Sequence, residues 1–136
     1  MEKYESKQVR INRPAETIYN VLSRFDNLTP ILSGRVDEWA ASENTCSFKA
    51  KGFPVCLQIV EKQPYKLVKV VGEDGSPMDF TFWLQLVSVD ECDTRMRLVL
   101  HVQLNMMMKM MIGGKLAQAV DQIADQIAEA FNNAPV

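Results

Sequence analysis

The chain has 136 residues and a formal net charge of −2. This length is typical of one domain and too short for two large ones, so we expect a single domain spanning residues 1–136. The slightly acidic balance argues against a protein whose main partner is nucleic acid, because such domains usually carry a basic face. Hydrophobic residues make up 47% of the chain, as in ordinary globular proteins.

We expect a cytoplasmic protein, because residues 1–13 do not resemble a secretory signal and the cysteines do not suggest disulfides. Residues 1–13 are mostly polar and lack the apolar core of a secretory signal. No stretch approaches the roughly 18 apolar residues of an integral membrane span. The three cysteines are odd in number and lack C-x-x-C spacing, so we expect reduced thiols. With His101 as the single histidine, we expect no metal site.

The first elements are a strand and two helices. Tyr4–Ile11 alternates loosely between polar and apolar residues and predicts a strand. Pro14 suits the first turn of a helix, and the apolar residues after it fall at helical spacing, which predicts a helix over 14–24. Asp26-Asn27 ends this helix and can cap a second, short one over 28–32. Ser33-Gly34 then ends that helix.

Period-two patterning dominates the middle of the chain. It predicts six further strands, over residues 36–41, 45–51, 55–62, 67–71, 79–89 and 95–105. The turns between them are short, so consecutive strands should pair as an antiparallel meander. A helix over 107–131 follows, and its expected apolar stripe comprises Leu116, Val120, Ile123, Ile127 and Phe131.

The order of elements predicts an architecture. Each alternating strand has one apolar face to bury, and the C-terminal helix is the only large amphipathic element that can cover it. A twisted sheet of seven strands curls around such a helix and seldom closes at both ends. We therefore expect an α+β domain in which a seven-stranded curved antiparallel sheet surrounds a long C-terminal helix, with a space between them.

Three local sequences carry a resemblance to a known family. Val9–Tyr19 is an alternating strand that runs into a Pro-x-Glu-x-aliphatic-aromatic pattern, Leu22–Leu28 contains Asp-Asn-Leu, and Asp93–Leu98 resembles a last hairpin. Together with the element order, they resemble the helix-grip fold of the START-like superfamily, which includes Bet v 1-like and polyketide cyclase-like (SRPBCC) proteins. The resemblance implies a hydrophobic cavity under the last helix. Members bind lipids, sterols, polyketides or quinones, and a minority are enzymes.

Inward-facing strand residues are the first candidates for ligand binding. Pockets for apolar ligands are lined by apolar and aromatic side chains with few polar groups. The alternative is that these residues simply fill the core. The candidate set from the strands is Trp39, Phe48, Leu57, Ile59, Phe80, Phe82, Leu84, Leu98, Leu100 and Val102.

A methionine-rich run at the start of the last helix is the second candidate. Residues 106–111 contain five of the eight methionines, and Gly113-Gly114 follows. Methionine is flexible and polarizable, and the glycines weaken the helix, so we interpret the segment as an adaptable pocket wall or lid with a hinge. An ordinary kinked helix start is one alternative, and a membrane-touching patch edged by Lys109 and Lys115 is another. The segment adds Met107, Met110, Met111 and Gly114 to the candidate set.

The leading hypothesis is a binding protein for a small apolar molecule that performs no chemistry and needs no cofactor. A cyclase or dehydratase is the alternative, and it requires polar side chains inside the pocket. Tyr19, Glu61 and Tyr65 are the polar candidates for reaching the pocket. Glu61 shares its alternation with Ile59 and would enter the pocket with a raised pKa, unless it lies at the rim of the strand.

A protein-interaction module, including a possible homodimer, is a third hypothesis. Trp83 is expected on the outer face of the sheet, next to Val99 of the neighbouring strand. An outward aromatic beside a β-branched residue is one mark of a protein contact. The expected outward position of His101 argues against a catalytic role for it.

Overall fold

The computed structural model describes residues 2–34, 36–50, 53–72 and 80–133, and it confirms the predicted α+β class and element order. The helices are α1 (Ala15–Leu22), α2 (Thr29–Leu32) and α3 (Met106–Asn132), and a short 3₁₀ turn, Phe25–Leu28, precedes α2. The strands are β1 (Glu2–Glu5), β2 (Val9–Ile11), β3 (Asp37–Ala41), β4 (Thr45–Ala50), β5 (Phe53–Gln63), β6 (Leu67–Gly72), β7 (Phe80–Asp90) and β8 (Asp93–Val102).

All the strands belong to one curved antiparallel sheet. Its order is β1-β8-β7-β6-β5-β4-β3, and β2 pairs with the same strand as β1, further along β8. From β3 to β8 every strand therefore pairs with the next one in sequence, as a meander does. Helix α3 packs against β1, β2 and β8, at one side of the sheet.

The N-terminal strand differs from the prediction, because the expected strand Tyr4–Ile11 is divided into β1 and β2. Ser6 lies in the interruption. Its backbone N–H donates to the carbonyl of Leu98 at 2.8 Å, and its hydroxyl accepts from the N–H of Leu98 at 2.9 Å. A side-chain oxygen thus substitutes for a backbone acceptor at this point. Over the described residues the sheet consequently has eight strands rather than seven.

A bulge in β5 corrects the expected facing of Glu61. The register shifts between Ile59 and Glu61, so that Glu61 lies opposite Lys69, which in turn lies opposite Trp83. Those partners belong to the outer face of the sheet. A bulge inserts one extra residue and therefore reverses the alternation beyond it, which simple period-two reasoning cannot detect. Glu61 is exposed and accepts a hydrogen bond from Gln63 at 2.7 Å.

Helix α1 packs against the core and is joined to the sheet by a hydrogen bond. It begins after Pro14, whose extended backbone (φ −62°, ψ 147°) precedes the first helical residue, and it ends at Leu22 rather than at the expected residue 24. Ile18 is fully buried and Leu22 is 6% exposed, so one side of this short helix enters the core. The hydroxyl of Thr94, on β8, donates to the carbonyl of Arg13 at 2.8 Å and joins the helix start to the sheet.

The buried side of α3 is rotated relative to the expected stripe. Val120 is 3% exposed, Ala124 0% and Ala128 8%, whereas Ile123 is 42% exposed. The expectation for Ile123 was therefore wrong. Alanine at 124 and 128 lets the helix backbone approach the sheet closely, so these small residues take the inward position and Ile123 is turned away.

Candidate functional site

Burial of the inner sheet face changes along the strands. Leu86 and Met96 are paired across β7 and β8 and are 4% and 0% exposed, and the next inward pair, Leu84 and Leu98, is 6% and 0% exposed. We call the region around Leu86 and Met96 the closed end. Interior packing there leaves little accessible surface.

The opposite end of the same strands is more open. Phe82 and Leu100 form the next inward pair after Leu84 and Leu98, and both are only half-buried. Leu57 on β5 and Phe48 on β4 are half-buried as well. We call the region formed by these half-buried side chains and the first half of α3 the open end. Large apolar groups that face inward yet keep accessible surface are the usual lining of a site for an apolar ligand.

Helix α3 shows the same change along one of its own sides. Helix geometry places residues 106, 110, 117, 124 and 128 within about 40° of one another around the axis. Met106 is 80% exposed and Met110 is 83% exposed, and Ala117 is also exposed, but Ala124 and Ala128 are buried. The inward side of α3 is thus packed in its second half. In its first half Gly113 is buried, but the side chains at 106, 110 and 117 are exposed.

Polar contacts fix the second half of α3 to the sheet side. The amide oxygen of Asn132 accepts from the N–H of Asn12 at 2.6 Å, and its nitrogen donates to the carbonyl of Arg10 at 3.2 Å. Asp121 accepts from the N–H of Lys7 at 2.7 Å, and the ammonium of Lys7 pairs with Asp125 at 2.9 Å. That ion pair also raises the pKa of Lys7, since it favours the charged amine.

The first half of α3 has its own, fewer contacts. Asn105 caps the helix by accepting from the N–H of Met108 at 2.8 Å, and Lys109 pairs with Glu2 at 3.3 Å. A Cβ added at Gly113 would lie 3.1 Å from the hydroxyl of Tyr4, whereas one at Gly114 would meet nothing within 4 Å. Gly113 therefore marks a close approach to β1, and Gly114 faces open space.

The predicted site residues divide into three groups by burial. Fully buried positions are Ile59, Leu84, Leu98 and Val102. Half-buried positions are Trp39, Phe48, Leu57, Phe80, Phe82 and Leu100. Exposed positions at the start of α3 are Met107, Met110, Met111 and Gly114. The half-buried group and Met110 lie around the open end, whereas Met107, Met111 and Gly114 are turned away from the sheet. The fully buried group belongs to packed interior.

Trp39 connects the two short helical segments to the edge of the sheet. Its indole N–H donates to the hydroxyl of Thr29 in α2 at 2.9 Å. Its ring lies 5.9 Å from that of Phe48 at an angle of 34°. The hydrogen bond and the ring contact together hold Trp39 within the half-buried apolar set.

The polar side chains required for catalysis do not meet at the open end. Glu61 lies on the outer face, as described above. Tyr65 is 45% exposed in the β5–β6 turn, and its ring packs edge-on against Tyr19 at 5.6 Å. This turn lies at the closed end, since the carbonyl of Lys66 accepts from the N–H of Leu86 at 2.8 Å.

The outer face of the sheet has a groove of about 260 Å³ centred on Trp83. The ring of His101 packs edge-on against Trp83 with centroids 4.6 Å apart, and the Lys69 ammonium lies 5.7 Å from the Trp83 ring. Nε2 of His101 is buried and has no hydrogen-bond partner among the described residues. The groove is lined by Lys3, Glu5, Leu67, Trp83, Gln85, Val99 and His101.

Sequence reasoning predicted one part of this groove and missed another. The expected pairing of Trp83 with Val99 is confirmed by the strand register. The contact between Trp83 and His101 was missed. These two residues are diagonal neighbours across β7 and β8, within reach of aromatic side chains, so an exact register would have revealed the contact.

The described residues lack both a cluster of metal-binding side chains and a membrane-spanning helix. No group of three or more His, Cys, Asp or Glu side chains is arranged to hold a metal ion in this part of the chain. No described helix combines the length and the apolar character that a membrane crossing demands.

Comparison with known proteins finds matches among solved structures. No family model matches the chain, and no curated protein does. The Aha1 dimer from Colwellia psychrerythraea matches with a TM-score of 0.69 and 18% identity, over 98% of each chain. Norcoclaurine synthase from Thalictrum flavum, in complex with dopamine and hydroxybenzaldehyde, matches with a TM-score of 0.71 and 12% identity, over 99% of this chain and 88% of the other. A protein from Mesorhizobium loti matches with a TM-score of 0.74 and 10% identity, over 99% and 100%.

These matches establish the fold. The Aha1 and norcoclaurine synthase structures are helix-grip proteins of the Bet v 1-like (SRPBCC) type, and the present chain has the same fold. The helix-grip fold expected from the sequence is thereby confirmed. Because fold does not determine function, the activity must be argued from the site.

Proposed function

We propose that the chain binds a small apolar molecule at the open end, between the first half of α3 and the inner sheet face. The observation that carries this proposal is the contrast along one side of α3. Met106 and Met110 are largely exposed, whereas Ala124 and Ala128, on the same side, are buried. An apolar ligand seated at the open end would cover the thioethers and the half-buried sheet residues together.

The chemistry of the lining supports an apolar ligand such as a lipid, a polyketide or a quinone-like molecule. The half-buried inward residues are Trp39, Phe48, Leu57, Phe80, Phe82 and Leu100. Methionines at the mouth would adapt to ligands of different shape, because their side chains are unbranched and polarizable. The solved complex of norcoclaurine synthase, a protein of the same fold, holds two small aromatic molecules.

We place binding without chemistry ahead of a cyclase or dehydratase. General acid–base catalysis needs a titratable group within hydrogen-bond reach of the substrate. Glu61 lies on the outer face, and Tyr65 and Tyr19 contact each other at the closed end. The open end therefore offers apolar surface, and its described side chains include no converging acid and base.

Native mass spectrometry of the freshly purified protein tests the proposal. We expect an added mass of a few hundred daltons that is lost on denaturation. A Leu100→Trp variant should fill the open end and reduce this added mass, whereas Gln58→Trp, which introduces the same side chain at an exposed outward position, should leave it unchanged. If the wild type carries no ligand and binds no apolar fluorescent dye, or if both variants behave alike, the proposal is wrong.

A protein contact at the outer groove is a second candidate function. The observation that favours it is the packed cluster of Lys69, Trp83 and His101 over a buried Val99, since exposed aromatic clusters on apolar floors are common at interfaces. We propose a second copy of the chain as the partner, as the Aha1 match is itself a dimer. Light scattering should then report a dimer that Trp83→Ser dissociates. A monomer at all concentrations would exclude it.

A further inference from the structure

The start of α3 presents an exposed apolar surface that ligand binding does not fully explain. Met106, Met107, Met110 and Met111 are between 67% and 83% exposed. No other large apolar side chain in the described part of the chain is more than 59% exposed. Helix geometry turns Met107 and Met111 about 100° or more away from Met106, so these two do not face the sheet. We call the four residues the methionine patch.

Charge is segregated along α3 in a way that singles out this patch. Residues 94–120 contain no acidic residue, and the first half of the helix carries Lys109 and Lys115. Residues 121–136 contain three acidic residues and no basic one. The partial positive charge of a helix N-terminus adds to the two lysines. The patch is therefore the cationic end of a helix whose other end is anionic.

We propose that the methionine patch docks on an anionic lipid surface. Apolar side chains that enter the acyl boundary, with lysines at head-group level, are the features of interfacial helices. Lys109 is paired with Glu2 at 3.3 Å, so Lys115 should carry the larger part of the electrostatic attraction. Met107 and Met111 lie outside the proposed ligand site, whereas Met106 and Met110 border it, so the docking proposal stands whether or not a ligand is bound.

A second copy of the chain fits the patch less well than a lipid surface does. Most homodimers are related by a two-fold axis, which brings the same surface of each copy together. Such a contact through the methionine patch would set the lysines of both copies against each other. An anionic head-group layer attracts the same lysines, and charge complementarity therefore selects the lipid surface.

Vesicle flotation tests the proposal with the full chain. We expect binding to vesicles of phosphatidylcholine mixed with phosphatidylserine and much weaker binding to phosphatidylcholine alone. Met107→Ser combined with Met111→Ser should reduce the partition coefficient by about tenfold or more, because two exposed apolar side chains are lost. Lys115→Gln should reduce it by about fivefold, and added salt should reproduce that loss.

A matched control is available at the other end of the molecule. Val87 and Val89 are 57% and 59% exposed on β7, so Val87→Ser combined with Val89→Ser also removes two exposed apolar side chains. This control should bind vesicles as the wild type does. No binding by the wild type, or equal losses in control and patch variants, would overturn the proposal. So would a dimer that the patch variant dissociates while vesicle binding stays unchanged. Native mass spectrometry measures ligand binding independently, so failure of the docking proposal can be distinguished from failure of the ligand proposal.

Discussion

The closed end and the open end use the same strands and the same helix, yet they are packed differently. Along β8, Met96 and Leu98 are fully buried, whereas Leu100, the next inward residue, is half-buried. Along α3, Ala124 and Ala128 lie against the core, whereas Met106 and Met110 lie uncovered. Small residues permit close approach of helix and sheet at one end, and long flexible residues leave room at the other.

This contrast indicates that packing at the closed end contributes most to folding stability, whereas the proposed ligand binds at the open end. Asp121 accepts from the N–H of Lys7, and Asn132 accepts from the N–H of Asn12 and donates to the carbonyl of Arg10. These hydrogen bonds hold the second half of α3 to the N-terminal segment. Accessible inward surface is concentrated at the open end, where packing contributes less to folding. Substitutions at matched positions of the two ends therefore test whether the two ends differ in packing.

The largest difference should appear between Leu98 and Leu100. Leu98→Ala removes a fully buried side chain and leaves a cavity, so the free energy of unfolding should fall by about 2–5 kcal/mol. Leu100→Ala should cost about half of that or less, because part of its surface is accessible before the change. Urea denaturation of both variants measures the difference. Equal losses would show that the open end is packed as tightly as the closed end.

A smaller effect is expected at Ser6, which interrupts the N-terminal strand. Ser6→Ala leaves the buried N–H of Leu98 without its acceptor, which should lower the free energy of unfolding by about 1–3 kcal/mol. Ser88→Ala, at an exposed strand position, is the control and should change stability by less than about 0.5 kcal/mol. If Ser6→Ala were equally neutral, the hydroxyl would not be essential to the junction of β1 and β2.

The sequence was sufficient to predict the fold because its signals are periodic and numerous. Six alternating segments, short turns and one long amphipathic helix leave few topologies, and the observed order matches. Local irregularities were not predicted. The bulge between Ile59 and Glu61 adds one residue to the alternation without any marker such as glycine or proline, and it moved Glu61 to the outer face.

The candidate site could be predicted only as a set of inward positions. Alternation identifies which side of a strand faces the helix, but the distance between helix and sheet depends on packing at each level. Leu98 and Leu100 have the same residue type and the same alternation. They differ in burial because the second half of α3 approaches the core closely through its buried alanines, whereas the side chains at 106 and 110 are exposed. The alanines at 124 and 128 were the available signal for that close approach.

The glycine pair in α3 should give a still smaller and asymmetric effect. Gly114→Ala adds a methyl group into open space within a helix and should raise the free energy of unfolding by about 0.5–1 kcal/mol. Gly113→Ala should gain less or nothing, since its Cβ would lie 3.1 Å from the Tyr4 hydroxyl. Adding Tyr4→Phe to Gly113→Ala should recover part of the gain. Thermal denaturation measures all three variants, and identical gains at both glycines would argue against the close approach to β1.

The smallest expected difference is in the pKa values of two carboxylates, Asp93 and Glu5. A hydrogen bond from Arg95, with the nearby charge of Arg10, lowers the pKa of Asp93, and a hydrogen bond from Lys3 lowers that of Glu5. A lowered pKa stabilises the fold above the ordinary carboxyl value, and this contribution is lost as the pH falls through the lowered value.

Salt should change the pKa values of these two carboxylates to different extents. The side chain of Asp93 is 16% exposed and that of Glu5 is 43% exposed, so salt should screen the Lys3–Glu5 pair more strongly. In NMR titrations at low and high salt, the pKa of Glu5 should return towards its ordinary value while that of Asp93 stays lowered. Arg95→Gln should raise the pKa of Asp93 at both salt concentrations. Equal salt sensitivity would mean that the two ends do not differ in the shielding of their surface charges, and the contrast in packing would then be confined to the apolar interior.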